Sequence, residues 1–325
     1  MEMALGSHWG IQVMKNQGNT YTDHILQKDA GVSVLAYYSL HYTHSSKEIW
    51  ETRIRSGSVK RNGEITTPGE ILRGGDTLAY HRAPWEEPDV PGNYSILHED
   101  PDLLVVGKPS GLPVLPAGGF LQNTLLTMIR DQFGPQCSPI HRLGRGTSGA
   151  ILFTRNTHSA RTLGIAMREN RIAKIYLARA RGVGMPDHFS VTAPIGPVPY
   201  PPTKTVHAFS MLGKPAISHF RVIRRTSRED ATIIEATIIT GRPHQIRIHL
   251  SHAGFPLIGD PLFREGGLPA IVSDRSGRFP LPGDCGYALH SWKLCFTHPR
   301  NGQDLEIIAP PPDILSPISS YSTRS

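Results

Sequence analysis

The apolar positions of this chain change period several times, and the changes outline its elements. Across residues 124–133, Leu125, Met128, Ile129 and Phe133 recur at helical spacing, with Asn123 placed to cap the helix. Ala160, Leu163 and Met167 repeat that pattern in a second helix. Residues 150–154, 175–181, 218–226 and 231–240 are instead short, rich in β-branched side chains and bounded by turn residues, which predicts strands. Two more strands, at 96–99 and 103–106, flank the turn Asp100-Pro101-Asp102. Helices fall irregularly among these strands, with no repeating βα unit and no glycine-rich dinucleotide fingerprint. The expected class is therefore α+β with a mixed, mainly antiparallel sheet. Proline-rich pieces at 194–202 and 310–312 read as loops.

Residues 32–82 carry a different pattern, a helix leading into a short hairpin. Asn62-Gly63 marks a tight turn because both residues tolerate positive φ, and Gly74-Gly75-Asp76 marks another reversal. Residues 83–92 then bring three prolines and little periodicity, the signature of a linker. The chain is thus expected to comprise an extension (1–31), a small α+β module (32–82), a linker (83–92), a large domain (93–312) and a serine-rich tail (313–325) without a core pattern, expected to be disordered.

Composition narrows the function classes. A chain of 325 residues can bury a sizeable core without staples, and no apolar run approaches the roughly 18 residues of a membrane span. Thirty-four Lys and Arg against 27 Asp and Glu are compatible with a polyanionic partner such as RNA, since phosphate neutralisation drives such binding. Three cysteines, Cys137, Cys285 and Cys295, form no CxxC pair and point to a reducing compartment; cytoplasm or nucleus is favoured and an organelle stays open. The histidines are scattered, so no metal site and no cofactor is expected. Residues 1–18 lack the charged head and apolar stretch of a secretory signal.

Seven short motifs follow one another along the large domain. They are Lys108-Pro109-Ser110-Gly111, His141-Arg142-Leu143-Gly144-Arg145-Gly146-Thr147-Ser148-Gly149, Lys174-Ile175-Tyr176-Leu177-Ala178 and Thr240-Gly241-Arg242-Pro243-His244-Gln245-Ile246-Arg247-Ile248-His249. Gly259-Asp260-Pro261-Leu262-Phe263, Leu289-His290-Ser291 and His298-Pro299 complete the series. Together and in this order they resemble the RluA-like family of RNA pseudouridine synthases. The resemblance implies isomerisation of uridine in transfer or ribosomal RNA, with no cofactor and no obligatory protein partner. It places Tyr176 against the flipped base, Arg247 beside the catalytic carboxylate, and Arg142 where the target nucleotide is displaced from its stack. Arg145 is a second RNA contact beside it, because a planar guanidinium both stacks and binds phosphate. His141, Thr147, His244 and Gln245 are assigned to the pocket. Residues 32–82 resemble the small alpha-L-type RNA-binding module fused to such enzymes, with Arg53, Arg55, Lys60 and Arg61 as its RNA contacts. A generic α+β extension is the plainer reading of the same residues.

One position departs from the family pattern. The first long motif reads HRLDxxTSG in the family, and the aspartate is its catalytic carboxylate; here the position is Gly144. Glycine offers neither nucleophile nor proton acceptor, and it would leave Arg247 in want of a partner, which for a buried arginine costs about 3–5 kcal/mol. Asp260 belongs to a motif of its own and is expected to have a structural task. The alternative function is a non-catalytic RNA-binding or RNA-folding protein that keeps the uridine pocket. A glycosidase-like or metal-assisted enzyme lacks its paired acids or ligand cluster.

Overall fold

The computed structural model describes residues 15–273 and 276–316. The chain divides into two compact units, Met1–Pro88 and Asp89–Ser325.

The first unit sets two helices on a small sheet. Its strands are β1 (Asn19–His24), β2 (Val59–Arg61), β3 (Glu64–Ile65) and β4 (Thr77–Arg82), all antiparallel, in the order β1-β4-β2-β3. Helices α1 (Val34–His41) and α2 (Lys47–Arg55) are capped by Ser33 and Ser46, whose hydroxyls accept from Ala36 N and Ile49 N. Asn62 and Gly63, with φ of 51° and 89°, make the expected turn between β2 and β3. Trp50 centres the core, stacked on Tyr38 at 4.6 Å and edge-on to Tyr80 at 5.1 Å. Strand β1 comes from the stretch expected to be an extension, so the unit begins before residue 32. Its sequence, NTYTDH, shows no apolar alternation because β1 lies at the sheet edge with both faces largely solvated.

The second unit is built on a ten-stranded mixed sheet. Its strands are β5 (Ser95–Glu99), β6 (Leu103–Lys108), β7 (Ser138–Pro139), β8 (Ser148–Thr154), β9 (Ala173–Arg181) and β10 (His188–Val191). A separate ribbon of β11 (Ile195–Tyr200) and β12 (Lys204–Phe209) follows, then the sheet strands β13 (Ser218–Thr226) and β14 (Ala231–Ile238). The short pair β15 (Phe263–Glu265) and β16 (Leu268–Pro269) precedes β17 (Leu289–Thr297) and β18 (Asp304–Ile308), which return to the sheet. The main path runs β10-β13-β14-β9-β17-β8-β6-β5, with β18 on β17 and β7 on β8. Among the described residues of this sheet only the β17–β8 pair is parallel.

Both faces of this sheet are covered, as the strand alternation requires. Leu104, Val106, Ile151 and Phe153 pack on one side with Leu125 and Ile129 of α3 (Leu125–Phe133). Leu103, Val105, Ala150 and Leu152 pack on the other with Leu163 and Ala166 of α4 (Thr157–Arg168). The cap of α3 is Thr124, whose hydroxyl accepts from Thr127 N, one residue later than the sequence pattern placed it. The proline-rich stretch read as a loop is strand β11. Pro197 and Pro199 fit because the ribbon has only one partner strand, so its outward-facing positions owe no ladder hydrogen bond. Near the C-terminus Asp313–Leu315 forms one helical turn with Leu315 buried, inside the expected tail; residues 317–325 lie outside the described residues. Among the described residues no helix is long and apolar enough to cross a membrane.

Candidate active site

The one parallel pairing positions the site. Strands β8 and β17 run the same way, with His290 opposite Ser148 and Ser291 opposite Gly149, so the segments preceding both emerge at one end of the sheet. The segment before β8 carries Gly144 and Thr147; the segment before β17 carries Tyr287. Strand β9 lies on the other side of β17 and sets Tyr176 opposite Ser291. Leu143, Tyr176, Tyr287 and Ile246 of α5 (Gln245–His252) share one buried cluster, which joins the sheet to the helix bearing Arg247.

Arg247 is the most constrained charge in this region. Its Nε and Nη2 donate to the two carboxylate oxygens of Asp260 at 2.7 and 2.8 Å, and Nη1 donates to Pro282 O at 2.9 Å. The arginine side chain is 2% exposed and that of Asp260 fully buried. Phe263 and Tyr287 flank the guanidinium carbon at 5.0 and 4.2 Å from their ring centroids. The partner that the sequence reading demanded for Arg247 is therefore Asp260. Its Oδ1 also accepts from Leu262 N and Phe263 N, which fixes the Gly-Asp-Pro turn to the helix.

The glycine-rich segment is tied down from beneath. Lys108 Nζ donates to Pro109 O, Leu112 O and Arg145 O at 2.8, 2.7 and 3.2 Å, and burial pushes its ammonium down to about 7. Ser110 Oγ donates to Gly146 O at 2.8 Å, and Gly111 N to Arg145 O at the same distance. The Lys-Pro-Ser-Gly motif thus serves as a brace for residues 144–147. Gly144 itself is exposed, and Arg142 beside it is exposed too.

Tyr176 lies almost wholly buried, and that burial pushes its phenol up to about 12. Burial also raises the Tyr287 phenol, so both hydroxyls stay protonated near neutrality. Arg145 turns inward: Nε donates to Gly283 O at 2.8 Å and Nη2 lies 4.0 Å from Asp284.

Of the other residues assigned to pocket or RNA, some hold the fold and some lie at the site. Gln245 accepts from Thr240 Oγ1 and Arg242 N and donates to Ile217 O and Ser218 Oγ, so it anchors the start of α5. The His141 ring accepts from Leu152 N, holding its loop to β8. Thr147 Oγ1 lies 3.5 Å from Tyr287 Oη, and His244 Nδ1 lies 3.3 Å from Arg247 Nη1. In the first unit Arg61, assigned to RNA, bridges Glu70 and Asp76. Arg53 packs over Trp50 and Tyr80 and donates to Ser45, while Arg55 pairs with Glu51. Lys60 is exposed on β2. Asp100, Asp102 and His298 lie together, but Arg300, Asn156 and Ser159 occupy the Asp102 carboxylate, which makes this cluster a structural tie. Tyr287 escaped the sequence reading, because a lone tyrosine before a strand carries no pattern.

Buried imidazoles set the acid response. Burial pushes His249, which bridges Ser218 and Ala193 O, down to about 4; His141 and His244 fall to about 4 and about 3 for the same first reason. Unfolded, each protonates near the ordinary 6.5. As pH falls below that value the unfolded chain binds protons that the native state refuses, so stability is expected to decline from about pH 6.5 to about pH 4. Urea midpoints across that range check this, and His249→Gln should flatten the decline.

Comparison with known proteins gives the family. Residues 102–252 match the family model described as RNA pseudouridylate synthase. An uncharacterised RNA pseudouridine synthase of Synechocystis sp. is 43% identical over 287 residues, 87% of this chain and 96% of that one. Ribosomal large subunit pseudouridine synthase D of Haemophilus ducreyi is 32% identical, covering 87% of each chain. The solved structure of human RNA pseudouridylate synthase domain containing 1 superposes with a TM-score of 0.54 at 26% identity, over 71% of this chain and 89% of that one. The chain belongs to the RluA-like family of RNA pseudouridine synthases, which are isomerases.

Proposed function

We propose that this synthase isomerises a uridine of ribosomal or transfer RNA at the end of the β8–β17 pair, with Gly144 standing where the family carries its motif carboxylate. Arg247 over the Tyr287 ring, Gly144 and Thr147 of the braced segment at its hydroxyl, and Tyr176 in the same buried cluster support this reading. A uridine must leave its stack to be rebuilt, at a cost of a few kcal/mol, and Tyr176 supplies a fixed aromatic face for the displaced base. Arg142 is exposed beside Gly144, where a guanidinium can serve both phosphate and base, and Arg145 orders the same segment through Gly283 O. The first unit, through Lys60, Arg53 and Arg55, adds contacts to the RNA backbone. Neither a cofactor nor a partner protein enters the reaction.

The test uses ribosomal and transfer RNA fractions from cells lacking the protein, incubated with the purified chain in the presence of a chelator. Mass spectrometry against a no-protein control is expected to find new pseudouridine at discrete positions in one fraction. A named relative acts on the ribosomal large subunit, so that RNA is tried first. RNA binding without new pseudouridine in either fraction would refute isomerisation and make recognition of uridine the working function.

A further inference from the structure

Isomerisation needs a group that lends a proton and takes one back. When uracil leaves C1′ the glycosidic electron pair goes to N1, which ends the reaction bearing a hydrogen; when the base rejoins through C5, the C5 hydrogen departs as a proton. Gly144 can do neither. Asp260 is closed to this task, because its side chain is fully buried and its oxygens already receive Arg247, Leu262 N and Phe263 N. Asp284, the carboxylate across from Arg145, is held by Arg278 at 2.6 Å and by Leu281 N at 2.8 Å.

What faces position 144 is a hydroxyl. A Cβ placed on Gly144 would find, its chain neighbours aside, two described atoms within 4 Å: Tyr287 Oη at 3.3 Å and Thr147 Oγ1 at 3.5 Å. The Tyr287 ring also presses on Gly146, where a Cβ would lie 3.0 Å from Cζ. The Arg247 guanidinium lies over this ring at 4.2 Å, its nitrogens bound to Asp260, Pro282 O and His244, so that its charge meets the phenol through the ring face. The phenol oxygen therefore faces an exposed backbone at residue 144, while its ring carries a fixed cation.

On the reading given under Proposed function, we propose that Tyr287 Oη is the acid–base group of the reaction, in place of a carboxylate at residue 144. The N1–C1′ bond breaks with its electron pair on N1, and the phenol proton passes to N1. The phenolate oxygen then faces the electron-poor C1′, with Arg247 against its ring. After the base has turned, the C5–C6 electron pair forms the C5–C1′ bond, and the C5 proton passes to the phenolate while the C5–C6 double bond is restored. One bond to C1′ is broken and one made, nothing is oxidised, and the tyrosine ends as it began.

Release of tritium from total RNA labelled at uridine C5, under single-turnover conditions, tests the proposal. Tyr287→Phe is expected to slow release about 100-fold or more, the usual reach of general acid–base catalysis, with RNA affinity within about threefold of the natural protein. Gly144→Asp should raise release by at least about tenfold more in Tyr287→Phe than in the natural protein, because the carboxylate and the phenol would serve the same step; equal factors in the two backgrounds would mean independent roles. Should Tyr287→Phe fold poorly, 3-fluorotyrosine placed at residue 287 keeps the shape and lowers the phenol pKa. It should move the alkaline limb of the rate profile to lower pH; the groups facing the phenol are Arg247, Asp260, Cys285 and Thr147. Release by Tyr287→Phe within about threefold of the natural rate, or an unmoved alkaline limb, would overturn the proposal while leaving the assigned reaction standing. No release by the natural protein would overturn both.

Discussion

Asp260→Ala is expected to destabilise the second unit by about 3–5 kcal/mol, the cost of stranding one member of a buried ion pair. Three effects act together. Arg247 keeps its charge at 2% exposure but loses both bonds of a bidentate pair, and Pro282 O and His244 cannot replace them. Leu262 N and Phe263 N lose their acceptor, so two buried donors go unpaired as well. The turn carrying Phe263, one wall of the guanidinium site, is released at the same time. For a unit of this size the midpoint should fall on the order of 10 °C, read by calorimetry as the transition of the second unit. Arg247→Met with Asp260→Leu should cost less than Asp260→Ala alone, because removing both charges leaves nothing stranded. A double variant as unstable as the single would show that the turn, and not the unpaired charge, carries the loss.

That pair also marks how far the sequence could be read. The motifs announced Arg247 and Asp260 separately, and the physics of a buried guanidinium required a partner, but only the fold shows that the two are each other's. The strands with clear β-branched runs, β8, β9, β13 and β14, were legible because tertiary packing agrees with their local pattern on both faces of the sheet. Strand β1 and ribbon strand β11 were not, since one is polar on an edge and the other carries prolines that a single-partner ribbon tolerates. The same limit applies to the candidate site. Arg61 looked like an RNA contact within a basic run, and nothing local in the sequence said that Glu70 and Asp76 had already claimed it. Tyr287 was invisible for the opposite reason: its meaning lies in being opposite Gly144 across a parallel strand pair, a relation between positions about 140 residues apart in sequence.

That parallel pair carries the second large prediction. Gly149 lies where β8 meets β17, at φ 105°, and a Cβ there would fall on the Ser291 carbonyl, with Ser291 N at 2.6 Å. Neither neighbour can yield, because both atoms belong to the backbone of a central strand paired on its other side with β9. Gly149→Ala therefore combines a backbone conformation closed to L-residues with an overpacked strand junction, and is expected to cost on the order of 4 kcal/mol. Its functional effect should exceed its effect on stability. Wedging β8 from β17 separates the segment bearing Gly144 and Thr147 from the one bearing Tyr287, and the 3.5 Å contact between Thr147 Oγ1 and Tyr287 Oη is lost with the alignment. Even at temperatures where the variant remains folded, pseudouridine formation should fall about 100-fold or more, the penalty for ångström-scale misplacement of reacting groups. Circular dichroism and single-turnover assays on one preparation separate the two effects. A folded Gly149→Ala with natural turnover would mean that the site does not depend on the register of these two strands.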